Sequence, residues 1–167
     1  MYHNPDMMRR SCFEAAGSGT VATSKEGVAN QIASEGGVIW CIGRDCQDVP
    51  DGEGGFECGE SYEEFYLYER VDNPTVEPGD EFFDIYLVGT SQFPQQGRHP
   101  EHRILLNNKP YFGKIHDLLR KGVQLLTDPD IIADFENEFV ELWRKYKKAS
   151  GTRQPLSSPH AAHHRRT

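Results

Sequence analysis

Five consecutive apolar residues, Val38-Ile39-Trp40-Cys41-Ile42, lie between Gly36-Gly37 and Gly43. An uninterrupted apolar run of this length, bounded by turn formers, reads as a buried strand. The chain must therefore build a sheet and cover it. Covering material is legible near the other end. Asp128-Pro129 is an N-cap followed by proline at the first helical position. Ile131, Ile132, Phe135, Phe139, Leu142, Trp143 and Tyr146 then recur at helical spacing. Acids fill the first half of this segment and Arg144, Lys145, Lys147 and Lys148 the last part, as the helix dipole favours. Glu141 and Lys145 form a favourable i,i+4 pair. The pattern predicts a helix over residues 129–148.

Other elements follow from shorter signals. Tyr62 to Val71 alternates, with Phe65 and Leu67 facing one way and Tyr66 and Tyr68 the other, as a strand does. Val76-Glu77-Pro78-Gly79-Asp80 is a turn signal, with glycine placed for positive φ. A third strand over 81–88, carrying Phe83, Ile85 and Leu87 on one side, would then pair antiparallel with 62–71. Residues 43–61, rich in Gly, Asp and Glu, read as a long loop. Thr23 with Glu26 forms a capping box for a short helix that Gly36-Gly37 stops. Lys109 to Lys121 reads as another helix, with Asn108 as its cap and Gly122 as its stop.

These signals predict an α+β fold: a small antiparallel sheet of about three or more strands within residues 37–89, packed against C-terminal helices. The chain's 167 residues suffice for one domain with a real core. Its expected extent is 23–150, preceded by a flexible N-terminal segment (1–22) and followed by a polar tail (151–167) with three histidines and two prolines.

Charge is distributed unevenly. Residues 45–85 carry fourteen acids and one base, Arg70, whereas 86–167 carry eight acids and thirteen bases. The acids are interleaved with Phe56, Tyr62, Phe65, Tyr66, Tyr68, Phe82 and Phe83. An acidic ribbon bearing aromatics attracts basic partners and speeds their association. At the extreme it imitates a nucleic-acid backbone and occupies the groove of a DNA- or RNA-binding protein. The bland alternative is a solvated face that aids solubility. The basic C-terminal end has no aromatic-rich RNA-binding signature beside it, so direct nucleic-acid binding is not expected.

Catalytic motifs are sparse. Cys41, Cys46 and Cys58 have four and then eleven residues between them, without the close cysteine pair typical of structural zinc, and Cys12 is remote. His99-Pro100-Glu101-His102 places two imidazoles three apart, with Asp84 or Asp117 available as a carboxylate, but it is not the His-Glu-x-x-His pattern. The chain has no Gly-x-Ser-x-Gly elbow and no phosphate-binding glycine loop. No apolar stretch is long enough to span a membrane. Residues 1–12 carry no apolar leader, and four cysteines do not make a disulfide scaffold, so reduced thiols in the cytoplasm are expected.

The functional expectation is a non-catalytic interaction module, an accessory or assembly subunit or regulator of the short, acidic, motif-poor kind that viruses and mobile elements carry. Its partner would be a protein with a basic surface, or a second copy. The expected contact residues are Glu63, Glu64, Tyr66, Tyr68, Glu69, Asp80, Glu81 and Asp84. No cofactor is expected. The weaker metal candidates are Cys41, Cys46, Cys58, His99 and His102. Two alternatives stand beside this: a metal-dependent hydrolase using His99 and His102, and a nucleic-acid-mimicking inhibitor.

Overall fold

The computed structural model describes residues 17–92, 103–119 and 121–151, together with Tyr2, His3, Pro5 and Cys12. The elements in chain order are β1 (Tyr2–His3), β2 (Thr20–Thr23), α1 (Glu26–Ser34), β3 (Val38–Pro50), β4 (Phe56–Pro78), β5 (Ile85–Ser91), β6 (Ile104–Leu105), α2 (Phe112–Leu119) and α3 (Pro129–Gly151). The sheet runs β1-β3-β4-β5-β2, and β6 pairs with β4 off that path. All pairings are antiparallel except the short β1–β3 contact. The α+β class is as the sequence implies.

The apolar run lies inside this sheet with both faces covered. Trp40 and Ile42 join Phe65, Leu67, Ile115, Leu119, Ile131, Phe135, Phe139 and Leu142 on the side of α2 and α3. Ile39 and Cys41 join Tyr66, Tyr68, Val71, Leu87, Ala29 and Ile32 on the side of α1. Trp40 meets the edges of Phe135 and Phe139 at 5.5 and 6.0 Å between ring centroids. Each large side chain so buried contributes about 1.5–3 kcal/mol, which is why the sheet needs helices on both sides.

β4 is the spine. β3 pairs along most of it, while β6 and then β5 take its other edge. Cys41 pairs with Glu69 but Ile42 with Leu67, so Tyr68 is an extra residue on β4. This bulge places Tyr68 and Glu69 on the same side of the sheet, toward α1. A second irregularity sets Asn73 and Pro74 against Gly89, with Asn73 at φ 51°. A Cβ on Gly89 would meet the Asp72 carbonyl oxygen at 2.6 Å, so only glycine fits there.

Several boundaries differ from the sequence expectation. Residues 43–61 form no long loop. They are the distal part of a β3–β4 hairpin whose turn spans 51–55. A ribbon with acids on both faces shows no apolar alternation, so periodicity could not reveal it. The third strand begins at Ile85, not Glu81, because 79–84 close the β4–β5 hairpin: the Gly79 and Asp80 N–H groups donate to the Asp84 and Phe83 carbonyls at 2.9 and 2.8 Å. Gly79 is required there by close approach, since a Cβ would sit 1.7 Å from the Phe83 oxygen. β2 lies across the expected end of the flexible segment and pairs with β5. Lys25, not Thr23, holds the cap position of α1; the Thr23 hydroxyl accepts from the Lys25 N–H at 3.1 Å. Asp128 caps α3 as expected, accepting from the Asp130 and Ile131 N–H groups. Glu141 pairs with Arg144 in place of Lys145.

Candidate functional site: an acidic hairpin arm

The distal β3–β4 hairpin is strongly acidic. Residues 45–64 contain eight acids and no base, and none of them belongs to either core cluster. The turn is built by Asp51, whose Oδ1 accepts from the Glu53 and Gly55 N–H groups at 2.8 and 2.9 Å. Gly52 and Gly54 take the positive φ that the turn needs, 81° and 94°. Phe56, beside the turn, is 70% exposed, and Tyr62 is 49% exposed.

The root of the arm is tied to the segment 103–107. The Arg103 guanidinium lies 3.3 Å from Asp45 and 4.5 Å from the Tyr66 ring centroid. The Asn107 side chain replaces ladder bonds that β4 lacks there. Its Oδ1 accepts from the Phe65 N–H at 2.7 Å, and its Nδ2 donates to the Glu63 carbonyl at 3.0 Å. The Tyr66 hydroxyl donates to Glu64 at 2.5 Å. Burial first, and the Glu64 carboxylate second, push the Tyr66 phenol up to about 12, so it stays protonated and serves as a donor.

The expected contact residues divide into three groups. Glu63 and Glu64 are exposed at the arm's root. Asp80, Glu81 and Asp84 are exposed at the β4–β5 turn. Fourteen residues of strand separate Glu64 from Pro78, on the order of 45 Å at the usual rise. Tyr66, Tyr68 and Glu69 are buried at 9%, 4% and 2% exposure and offer no surface. β4 has no outer face at these positions, because α1 and the residues before β2 cover it. Glu69 Oε1 accepts from the Gly17 and Gly19 N–H groups, each at 3.0 Å. Asp80 is partly used up by its turn, accepting from the Phe82 and Phe83 N–H groups and from the Tyr86 hydroxyl. The Tyr86 hydroxyl, chief among these donors, holds its carboxyl below the usual range.

The cysteines correct another expectation. Cys46 and Cys58 are joined as a disulfide across the arm, with Cα atoms 5.6 Å apart and each residue 5% exposed. The four thiols are therefore not all reduced, and these two are not a metal pair. Pairing was hidden because it depends on the hairpin's register. Cys41 is buried in the α1-side core, and desolvation pushes its thiol up to about 12. Among the described residues, no group of three or more His, Cys, Asp or Glu side chains is placed to hold a metal. His99 and His102 lie outside the described residues.

A cavity of about 320 Å³ opens between β3, α2, α3 and the loop after α2. Its wall is apolar, with Val38, Trp40, Leu119, Ile132 and Phe135 among the lining residues. The two carboxylates at it are already engaged, Glu35 by Gln31 and Glu136 by Arg70. Another titratable cluster, Lys109 and Tyr111 against Asp134 and Glu138, ties the segment before α2 to α3. Burial, reinforced by Asp134, raises the Tyr111 phenol.

No protein-family model, curated protein or solved structure matches the chain. No helix among the described residues is long and apolar enough to cross a membrane.

Proposed function

We propose that the chain is a non-catalytic interaction module, an accessory or assembly subunit or a regulator, that docks a basic protein surface through its acidic hairpin arm. The observation that carries this reading is the arm itself: eight acids without a base, an exposed Phe56 at the turn, and a root pinned by Arg103 and Asn107. Such a surface steers a cationic partner over distances near the Debye length, about 8–10 Å at physiological salt, and Phe56 then supplies apolar contact. Glu63 and Glu64 belong to this surface with Asp51, Glu53 and Glu60. Asp80, Glu81 and Asp84 form a second, remote acidic patch. We place the module in the cytoplasm, where the Cys46–Cys58 bond would be transient and regulated rather than permanent.

The test uses a lysine-rich peptide as probe. Reversing Glu53, Glu60 and Glu63 to lysine should weaken its binding about tenfold and leave the circular dichroism spectrum unchanged. Raising salt from about 50 to about 300 mM should weaken binding to the wild-type chain. Binding that ignores both changes refutes the reading. Nucleic-acid mimicry would show instead as competition with DNA for a DNA-binding partner, and a hydrolase would bind metal and lose it on replacing His99 and His102.

A further inference from the structure

We propose that the Cys46–Cys58 disulfide is a redox clasp that decides whether the acidic arm is presented as an ordered hairpin. The proposal rests on the arm being the docking element and adds its regulation.

The β3–β4 ladder is weakest where the disulfide sits. From Arg44↔Phe65 to Cys46↔Ser61, two residues of β3 are matched against four of β4. From Cys46↔Ser61 to Asp48↔Cys58, two are matched against three. Pairing is thus broken on both sides of Cys46. Beyond it remain Asp48↔Cys58, Val49↔Glu57 and Pro50↔Phe56, and Pro50 has no N–H to give. This outer ribbon contributes no residue to either core cluster, and a two-stranded hairpin on its own is marginal in water. Asp51, Glu53 and Glu60 add like charge that the arm's own sequence does not neutralise. The covalent bond, closing a stretch with sequence separation 12, ties the two strands together across this break in the ladder.

Opening needs a dithiol reductant. One thiolate of the dithiol attacks a sulfur of the Cys46–Cys58 bond, forming a mixed disulfide and releasing the other cysteine as a thiol. The second thiol of the reductant then displaces the remaining cysteine. Two electrons and two protons pass to the protein, and the reductant leaves as a cyclic disulfide. Removing a crosslink over a loop of this size reduces the closure constant on the order of a hundredfold.

The experiment compares the full-length chain, air-oxidised and dithiothreitol-treated, by amide hydrogen exchange and by binding of a lysine-rich peptide. Reduction should speed exchange over residues 46–58 by about ten- to a hundredfold. It should leave α2 and residues 131–142 unchanged and weaken peptide binding several-fold. The Cys46→Ser/Cys58→Ser chain should behave as reduced under both conditions. Four free thiols in the oxidised chain, unchanged exchange in the arm, or acceleration throughout the molecule would each overturn the clasp. So would an arm that opens while peptide binding stays equal and measurable in both states. An arm that opens while the peptide binds in neither state supports the clasp and overturns the docking reading.

Discussion

Glu69 offers the sharpest test of how the α1 side of the sheet is assembled. Its carboxylate is 2% exposed and accepts from the Gly17 and Gly19 N–H groups at 3.0 Å. Gly19 sits at φ 65°, where a Cβ would lie 2.4 Å from the Gly89 oxygen, so this backbone cannot easily shift to find other partners. Glu69→Ala orphans both donors, at about 1–3 kcal/mol for a buried one. Counting the half-buried Gly17 at less, the loss is about 2–4 kcal/mol, or roughly 5–15 °C in Tm for a chain of this length. Glu69→Gln keeps an oxygen acceptor and should stay within about 1 kcal/mol of wild type. pH separates the two effects. Burial raises the Glu69 carboxyl above its ordinary value of 4.5, against the downward pull of the Gly19 and Gly17 N–H groups. The native state therefore holds the proton more tightly than the unfolded chain. Wild type loses stability as pH rises from about 4.5 through the raised value, and the glutamine variant does not. Urea unfolding at about pH 4 and about pH 7 should show the Gln variant gaining on wild type with rising pH. An alanine variant as stable as wild type, or a Gln-to-wild-type gap that ignores pH, would refute the argument.

Two further outcomes follow from the same reading. Arg70 lies over the Trp40 and Phe139 rings at 5.1 and 4.9 Å and pairs with Asp72 and Glu136 at 2.7 and 2.5 Å. Arg70→Lys should lose most of this, since an ammonium cannot stack and fork at once, and should cost about 1–3 kcal/mol in urea unfolding. A lysine variant with wild-type stability would show the stack to be incidental. Asn107→Ala should cost about 1–2 kcal/mol and speed amide exchange at Phe65. Asn107→Asp keeps the acceptor for Phe65 but loses the donor to Glu63 and adds charge beside Glu63 and Glu64. It should therefore fare no better than alanine, and wild-type exchange in the aspartate variant would disprove that role.

What could be read from the residues was whatever depends on neighbours in the chain. Asp128-Pro129 and the apolar stripe from Ile131 to Leu142 fix α3, because capping and helical periodicity act within a few turns. The unbroken run Val38–Ile42 demands burial on both sides and receives it. The alternation of Phe65 and Leu67 against Tyr66 and Tyr68 is likewise kept. The concentration of acids in 45–64 is a property of composition, whatever the fold.

Tertiary structure decided the rest, because each remaining outcome depends on segments far apart in sequence. Tyr66, Tyr68 and Glu69 would face solvent on a bare ribbon. They are buried because α1 and the residues before β2, more than thirty residues upstream, pack over that face, and because the bulge at Tyr68 turns Glu69 toward Gly17 and Gly19. Cys46 and Cys58 become partners only when the hairpin's irregular register brings their Cα atoms to 5.6 Å. Local pattern sets which residues can share a face. Long-range packing and strand register set which faces exist and which side chains meet across them.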